Sequence, residues 1–229
     1  MAHRIFQGCS RLNSYLFLLN PLLLNSSSFN MTQDLILARL LANNDQWAED
    51  VQRAEPGFFQ QCAKGQAPKV LWIGCADSRV PESVLTACKP GEIFVHRNIA
   101  NQFHPSDDSA LAVLTYAVDH VGVSHVIVVG HTNCGGAAAC HAAANDPAAA
   151  APDGPLGRWL GPLTDLAKGR DLTELVEANV RAQVANLANA ETLKSAWERG
   201  KDVQVHGWVY EIETGRLRDL GISVGRGSA

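Results

Sequence analysis

The sequence predicts an α/β fold: a mostly parallel four-stranded sheet with an antiparallel edge strand and helices on both faces. Short runs of β-branched and other apolar residues, such as Val70-Leu71-Trp72-Ile73 and Val126-Ile127-Val128-Val129, alternate with stretches in which apolar residues recur at helical spacing. Both runs end in glycine and lead into polar motifs. Strands that alternate with helices form a parallel sheet that helices cover on both faces.

Each element follows from local signals along the chain. Thr32 can cap a first helix, which Pro56-Gly57 interrupts, and Pro81 suits the first position of another. Glu213-Thr214-Gly215 forms a tight turn before the edge strand. The predicted strands are 69–74, 92–97, 124–130, 203–209 and the edge strand 216–223. The predicted helices are 32–59, 81–87, 110–120 and 135–144, with one or two more within 173–199, and loops are predicted at 98–108 and 145–157. We expect the first helix to pack on a partner subunit.

Composition limits the class of protein. The chain has 229 residues, 46% of them hydrophobic, and a formal net charge of -4. Residues 31–229 therefore fit a single globular domain, and the acidic balance argues against nucleic acid as a partner. Six cysteines are too few for a disulfide scaffold in a chain of this length. Because thiolate ligands need reducing conditions, we expect an intracellular protein.

Residues 1–30 differ from the rest and are expected to form a leader. They contain Arg4 and Arg11 but no acidic residue, together with several serines and asparagines. This composition is typical of a mitochondrial transit peptide. The alternative is a disordered segment upstream of a working start at Met31, in a cytoplasmic protein. The apolar stretch 15–24 is too short for a membrane span, which needs about 20 residues.

Two motifs at predicted strand ends carry candidate metal ligands. Cys75 follows the first strand, and His131 and Cys134 follow the third. The carboxyl ends of parallel strands lie at one edge of a sheet, where sites are usually built. Two cysteines and one histidine suit Zn²⁺, and three protein ligands leave a fourth position open, as in catalytic sites.

Asp77 and Arg79 accompany the first ligand. A carboxylate two residues past Cys75 can bind the metal as a fourth ligand or can pair with the guanidinium of Arg79. The two arrangements form a switch: Asp77 on Arg79 leaves the metal open, and Asp77 on the metal closes it. An ordinary ion pair in a loop is the alternative interpretation.

The combined motif resembles the β-class carbonic anhydrases. The likeness rests on Cys75-x-Asp77-x-Arg79 and on His131-x-x-Cys134-Gly135-Gly136. It continues through the segments 96–101, 195–197 and 206–208, and covers roughly residues 32–224. The resemblance implies a zinc enzyme that hydrates carbon dioxide reversibly to bicarbonate and a proton by means of zinc-bound hydroxide. It implies Cys75, His131 and Cys134 as zinc ligands, Asp77 and Arg79 as the catalytic dyad, and a homodimer or homotetramer.

The resemblance also implies a substrate cleft and a regulatory pocket. Gln66, Phe94 and Tyr116 match residues that line the cleft, often across a dimer, and Val80 could extend this apolar slot. A separate set resembles the bicarbonate-inhibited subtype, in which an anion beside the metal favours the closed arrangement. That set is Trp72, Arg97 and Tyr210. The alternative is that both aromatic residues only fill the core.

Two other functions fit the same motif. The site could hydrolyse carbon disulfide or carbonyl sulfide, since both are linear molecules that the same nucleophile attacks. The chain could instead be a zinc-binding module without turnover, but a structural zinc site needs four permanent protein ligands. Only Asp77 could serve as the fourth ligand, and Arg79 competes for it.

Overall fold

The computed structural model describes residues 31–146, 148–150 and 152–227. The predicted leader, residues 1–30, lies outside the described residues. The chain divides into two compact units, Met1–Pro56 and Gly57–Ala229. The described part of the first unit is one long helix, α1 (Met31–Ala54). No helix in the described ranges combines the length and apolarity that crossing a membrane requires.

The second unit is built on a five-stranded sheet in the order β2-β1-β3-β4-β5. Four strands pair in parallel, as predicted, and β5 runs antiparallel to β4 at the edge. The fold class predicted from the sequence is confirmed, and the edge strand brings the count to five. The strands are β1 (Val70–Cys75), β2 (Ile93–Asn98), β3 (His125–His131), β4 (Gln204–Glu211) and β5 (Arg216–Val224).

Helices connect and cover these strands. A 3₁₀ turn (Ile99–Asn101) follows β2, and a π-helical turn (Tyr116–Val121) extends the fourth helix. The helices of the second unit are α2 (Phe58–Cys62), α3 (Glu82–Leu85), α4 (Asp108–Thr115), α5 (Gly135–Asn145), α6 (Gly154–Ala167), α7 (Leu172–Ala188) and α8 (Glu191–Glu198).

One loop prediction is wrong. The sequence predicts a loop over residues 145–157, but α6 begins at Gly154, inside that range. Its proline and glycine residues hid the helical pattern, although Pro155 suits a first turn. The helix is stabilised by burial of Leu160, Leu163 and Ala167 against neighbouring helices rather than by local propensity.

Two glycines allow α7 to pack closely on the sheet. Gly130 of β3 and Gly207 of β4 lie on the face that α7 covers. A Cβ on either glycine would stand less than 3.0 Å from the side chain of Val180. The helix therefore rests directly on the strand that ends in His131, and it fixes that strand end within the core.

Candidate metal centre

Cys75, His131 and Cys134 meet at the carboxyl edge of the sheet. Gly74 of β1 pairs with Val129 of β3, so the ends of these adjacent strands lie side by side. The candidate ligand atoms, two sulfurs and an imidazole nitrogen, all lie within 4.8 Å of one another, and all three residues are buried. The structure thus brings together the three residues that the sequence singled out.

The imidazole of His131 is oriented for a metal. Its Nδ1 lies 2.8 Å from the carbonyl oxygen of Thr132, which can only accept, so Nδ1 carries the hydrogen. The remaining nitrogen, Nε2, is a lone-pair donor that is buried without a hydrogen-bond partner among the described residues. A backbone carbonyl that fixes the tautomer in this way is a common partner of metal-binding histidines.

The two thiols behave as a pair that shares one proton. A hydrogen bond from Cys134 lowers the pKa of Cys75 to about 4 against the opposing effect of burial, with smaller contributions from the His131 side chain and from the backbone amides of Asp77 and Ala100. Interaction with the Cys75 thiolate, reinforced by burial, raises the pKa of Cys134. A divalent cation can take the place of the shared proton, because metal binding to cysteine releases protons. This donor set fits Zn²⁺.

Asp77 and Arg79 form a two-pronged ion pair beside these ligands. The guanidinium of Arg79 donates from Nη2 to Asp77 Oδ2 at 2.6 Å and from Nε to Oδ1 at 3.0 Å. These bonds hold the pKa of Asp77 far below its usual range. The carboxylate stays close to the cluster, since Oδ2 lies 3.9 Å from His131 Nε2. The structure shows the arrangement in which Asp77 is bound to Arg79.

The residues of the predicted regulatory pocket adjoin the metal-ligand loops. Arg97 donates to the carbonyl oxygens of Cys75 and Asp77. Trp72 is buried, and its indole nitrogen occupies the space that a Cβ on Gly74 would need. The main chain of Tyr210 accepts a hydrogen bond from the amide of Thr132 at 3.0 Å, next to His131.

The predicted cleft residues are more dispersed. Val80 is buried beside the dyad, and its amide donates to the carbonyl oxygen of Asp77 at 3.2 Å. The rings of Phe94 and Tyr116 stack with centroids 5.9 Å apart. Gln66 is exposed in the segment between α2 and β1. Within the described part of the chain, no hydrogen bond or ring contact joins Gln66, Phe94 or Tyr116 to the metal cluster.

Sequence reasoning missed one contributor to the site, Glu213. It was interpreted only as part of a turn, yet its carboxylate accepts hydrogen bonds from Thr132 and Asn133, the two residues between His131 and Cys134. The Thr132 hydroxyl contributes most to lowering the pKa of Glu213. The available signal was that the strand after α7 and α8, β4, would lie beside β3.

Known proteins share this architecture and sequence. A family model described as carbonic anhydrase matches residues 70–217. A carbonic anhydrase of Emericella nidulans is 36% identical over 80% of this chain and 83% of its own length. One from Saccharomyces cerevisiae is 32% identical over 86% of this chain and 94% of its own. A tetrameric β-carbonic anhydrase of Sordaria macrospora superposes with a TM-score of 0.74 at 37% identity, covering 82% of this chain and 98% of its own. The chain belongs to the β-class carbonic anhydrases.

Proposed function

We propose that this protein is a carbonic anhydrase that interconverts carbon dioxide and bicarbonate with the help of zinc held by Cys75, His131 and Cys134. One observation carries the proposal. In a chain of this enzyme family, two sulfurs and an imidazole nitrogen form a buried cluster within 4.8 Å of one another. The Nε2 nitrogen of His131 has no hydrogen-bond partner among the described residues. The three ligands leave a fourth coordination position for a small molecule.

Zinc held by Cys75, His131 and Cys134 would lower the pKa of water toward about 7 and would thereby supply a hydroxide nucleophile near neutral pH. The protein contributes the geometry. Arg79 holds the Asp77 carboxylate in an ion pair beside the ligands, where the carboxylate can accept a hydrogen bond from a polar hydrogen in the fourth position. We propose that Asp77 thereby selects the orientation of the nucleophile, and that it could also become a fourth ligand when released by Arg79.

We also propose the substrate path and the assembly. Carbon dioxide is small and apolar, so Val80 with the stacked Phe94 and Tyr116 suits its approach, and the amide of exposed Gln66 could donate to the oxygen that gains charge. These residues would converge across a subunit boundary, in a homodimer or homotetramer. The thiolate ligands favour a reducing compartment, and the choice between mitochondrion and cytoplasm stays a prediction.

A regulatory role for Trp72, Arg97 and Tyr210 is a further proposal of the same kind. Arg97 binds the carbonyls of Cys75 and Asp77, so an anion that competed for its guanidinium would loosen the segment that carries both. Bicarbonate is such an anion. Its binding would favour release of Asp77 toward the metal and would slow the enzyme.

The experiment is a metal-removal assay on the full chain. Treatment with a chelator should abolish carbon dioxide hydration, and added Zn²⁺ should restore it, while carbon disulfide and carbonyl sulfide should turn over poorly. If carbon disulfide or carbonyl sulfide turned over faster than carbon dioxide, that compound would be the substrate instead. Zinc-loaded protein without turnover of any of the three would overturn the proposal.

A further inference from the structure

The loop that links two of the three candidate metal ligands is short and conformationally unusual. Strand β3 ends at His131, and Cys134 immediately precedes α5, so only Thr132 and Asn133 lie between them. Asn133 has a φ of 53°, in the left-handed region that non-glycine residues rarely adopt. Such a conformation persists only when surrounding contacts hold it. The spacing of the two ligands therefore depends on what binds this loop.

The carboxylate of Glu213 binds both linking residues. Thr132 Oγ1 donates to Glu213 Oε2 at 2.7 Å, and Asn133 Nδ2 donates to Oε1 at 2.6 Å. The bond from the Thr132 hydroxyl lies within the usual range for hydrogen bonds to an ionised acceptor, and the bond from the Asn133 amide is short for such a bond. The hydroxyl of Thr132 also accepts from the amide of Ile212 at 2.9 Å, which attaches the loop to the main chain just before Glu213.

The same loop reaches the catalytic dyad. The carbonyl oxygen of Asn133 accepts a hydrogen bond from Arg79 Nη2 at 3.0 Å, and this nitrogen also binds Asp77. A change in the main chain at Asn133 would therefore affect both the metal ligands and the Asp77–Arg79 pair. It would alter the relative position of the His131 and Cys134 side chains, and it would remove the hydrogen bond from Arg79 to the carbonyl oxygen of Asn133.

We propose that Glu213 is a positioning residue, which holds the loop between His131 and Cys134 in the shape needed for metal retention and for the Asp77–Arg79 pair. The inference rests on the proposed function but can fail separately from it. Among the hydrogen bonds of the described residues, those of Glu213 go to Thr132 and Asn133 and not to His131 or Cys134, so we expect its effect to pass through the two linking residues.

A neighbouring carboxylate provides a matched control. Glu211 lies two residues earlier at the end of β4, and it binds Arg218 and Thr214 rather than the metal-ligand loop. Removal of Glu211 deletes a comparable surface carboxylate with its hydrogen bonds. It leaves in place the hydrogen bonds that Thr132 and Asn133 make with Glu213.

The test measures zinc release and cobalt spectra in the full chain carrying Glu213→Ala, Glu213→Gln or Glu211→Ala. Transfer of zinc to a chelator should be about tenfold faster in Glu213→Ala, a loss typical of groups that orient metal ligands. Glu213→Gln keeps one acceptor for Thr132 and should fall between. Glu211→Ala should release zinc as the unchanged protein does. In cobalt-substituted protein, Glu213→Ala should shift the visible bands that report ligand geometry, and Glu211→Ala should not.

A double-mutant cycle checks the route of the effect. If Glu213 acts through Asn133, then Glu213→Ala should accelerate zinc release less in an Asn133→Gly background, because glycine adopts the left-handed conformation unaided. Thermal unfolding controls for loss of fold. Unchanged zinc release and cobalt spectra in folded Glu213→Ala would overturn the inference. Loss of the proposed function would appear differently, as zinc-loaded parent protein without carbon dioxide hydration.

Discussion

Arg97 ties the first metal-ligand loop to the neighbouring strand. Its guanidinium donates to the carbonyls of Cys75 and Asp77 and lies 3.9 Å from the carboxylate of Glu82. On the same face of the sheet, the indole of Trp72 fills the space beside Gly74, the residue that pairs with Arg97. One cation thus links the candidate regulatory pocket to the candidate metal centre.

Rising bicarbonate should therefore inhibit carbon dioxide hydration cooperatively, and Trp72→Phe should weaken that inhibition. The substitution removes the indole N–H but keeps an aromatic ring in the core. Trp197→Phe is the control. It also removes an indole donor, but that donor binds the carbonyl oxygen of Val203 and not a residue of the candidate regulatory pocket. Stopped-flow rates across a bicarbonate series measure the effect. Equal inhibition in both variants and in the parent would contradict a regulatory bicarbonate pocket at Trp72.

At the scale of a single element, helix α7 carries a ladder of hydrogen-bonded, buried side-chain amides, formed by Asn179 and Gln183. Asn179 donates to the carbonyl oxygen of Ala100 at 2.8 Å and accepts from Gln183 at 2.9 Å. Gln183 in turn accepts from the amide of Phe103 at 2.9 Å. The ladder holds the segment after β2, in which Ala100 has a φ of 62°. The amide of Ala100 is one of the donors to the Cys75 sulfur, so α7 also supports the metal centre.

Removing the Asn179 amide from this ladder should destabilise the fold. In Asn179→Ala the carbonyl of Ala100 loses its donor and the buried amide of Gln183 loses its acceptor, at a cost of about 1–3 kcal/mol in the free energy of unfolding. Arg181→Ala, at an exposed position of the same helix, should change it by less than about 0.5 kcal/mol. Urea denaturation measures both. A cost in Asn179→Ala no larger than in the control would contradict this role for the ladder.

Sequence reasoning succeeded where local pattern decides and failed where distant contacts decide. Strands β1 and β3 were predictable because their apolar runs end at glycine, and the meeting of Cys75 with His131 follows from parallel strand ends. The start of α6 was not, because Gly154 and Pro155 are typical of loops until Leu160 is buried. Glu213 was also missed, since its partners lie about 80 residues away and adjoin it only once β4 pairs with β3. The zinc-ligand roles themselves stay predictions.

At the scale of the whole molecule, α1 presents a large apolar surface. Several of its aliphatic side chains are more than half exposed, and Leu41 is 70% exposed. Exposed apolar side chains concentrated in one segment of a chain usually mark an interaction site. The exposed aliphatic residues are Leu35, Ile36, Leu37, Leu40 and Leu41. We expect a second copy of the chain to cover them in the assembled protein.

A charge on this surface should therefore dissociate the assembly. Leu37→Glu with Leu41→Glu places two carboxylates on one side of α1, four residues apart, and each would be buried at the expected interface without a partner. Asn43→Glu adds the same kind of charge at an exposed polar position and should leave the mass unchanged. Light scattering after size exclusion measures the mass. If the double variant keeps the mass of the parent, α1 does not hold the subunits together.

Zinc content and carbon dioxide hydration, measured on the same samples, test the central claim most directly. The parent chain and Cys140→Ser, a buried cysteine of α5 that donates to the carbonyl of Leu160 instead, serve as references. Both references should hold zinc and turn over carbon dioxide, whereas Cys75→Ser and His131→Ala should lose bound zinc and activity together. Full zinc content with full activity in Cys75→Ser and His131→Ala would contradict the account.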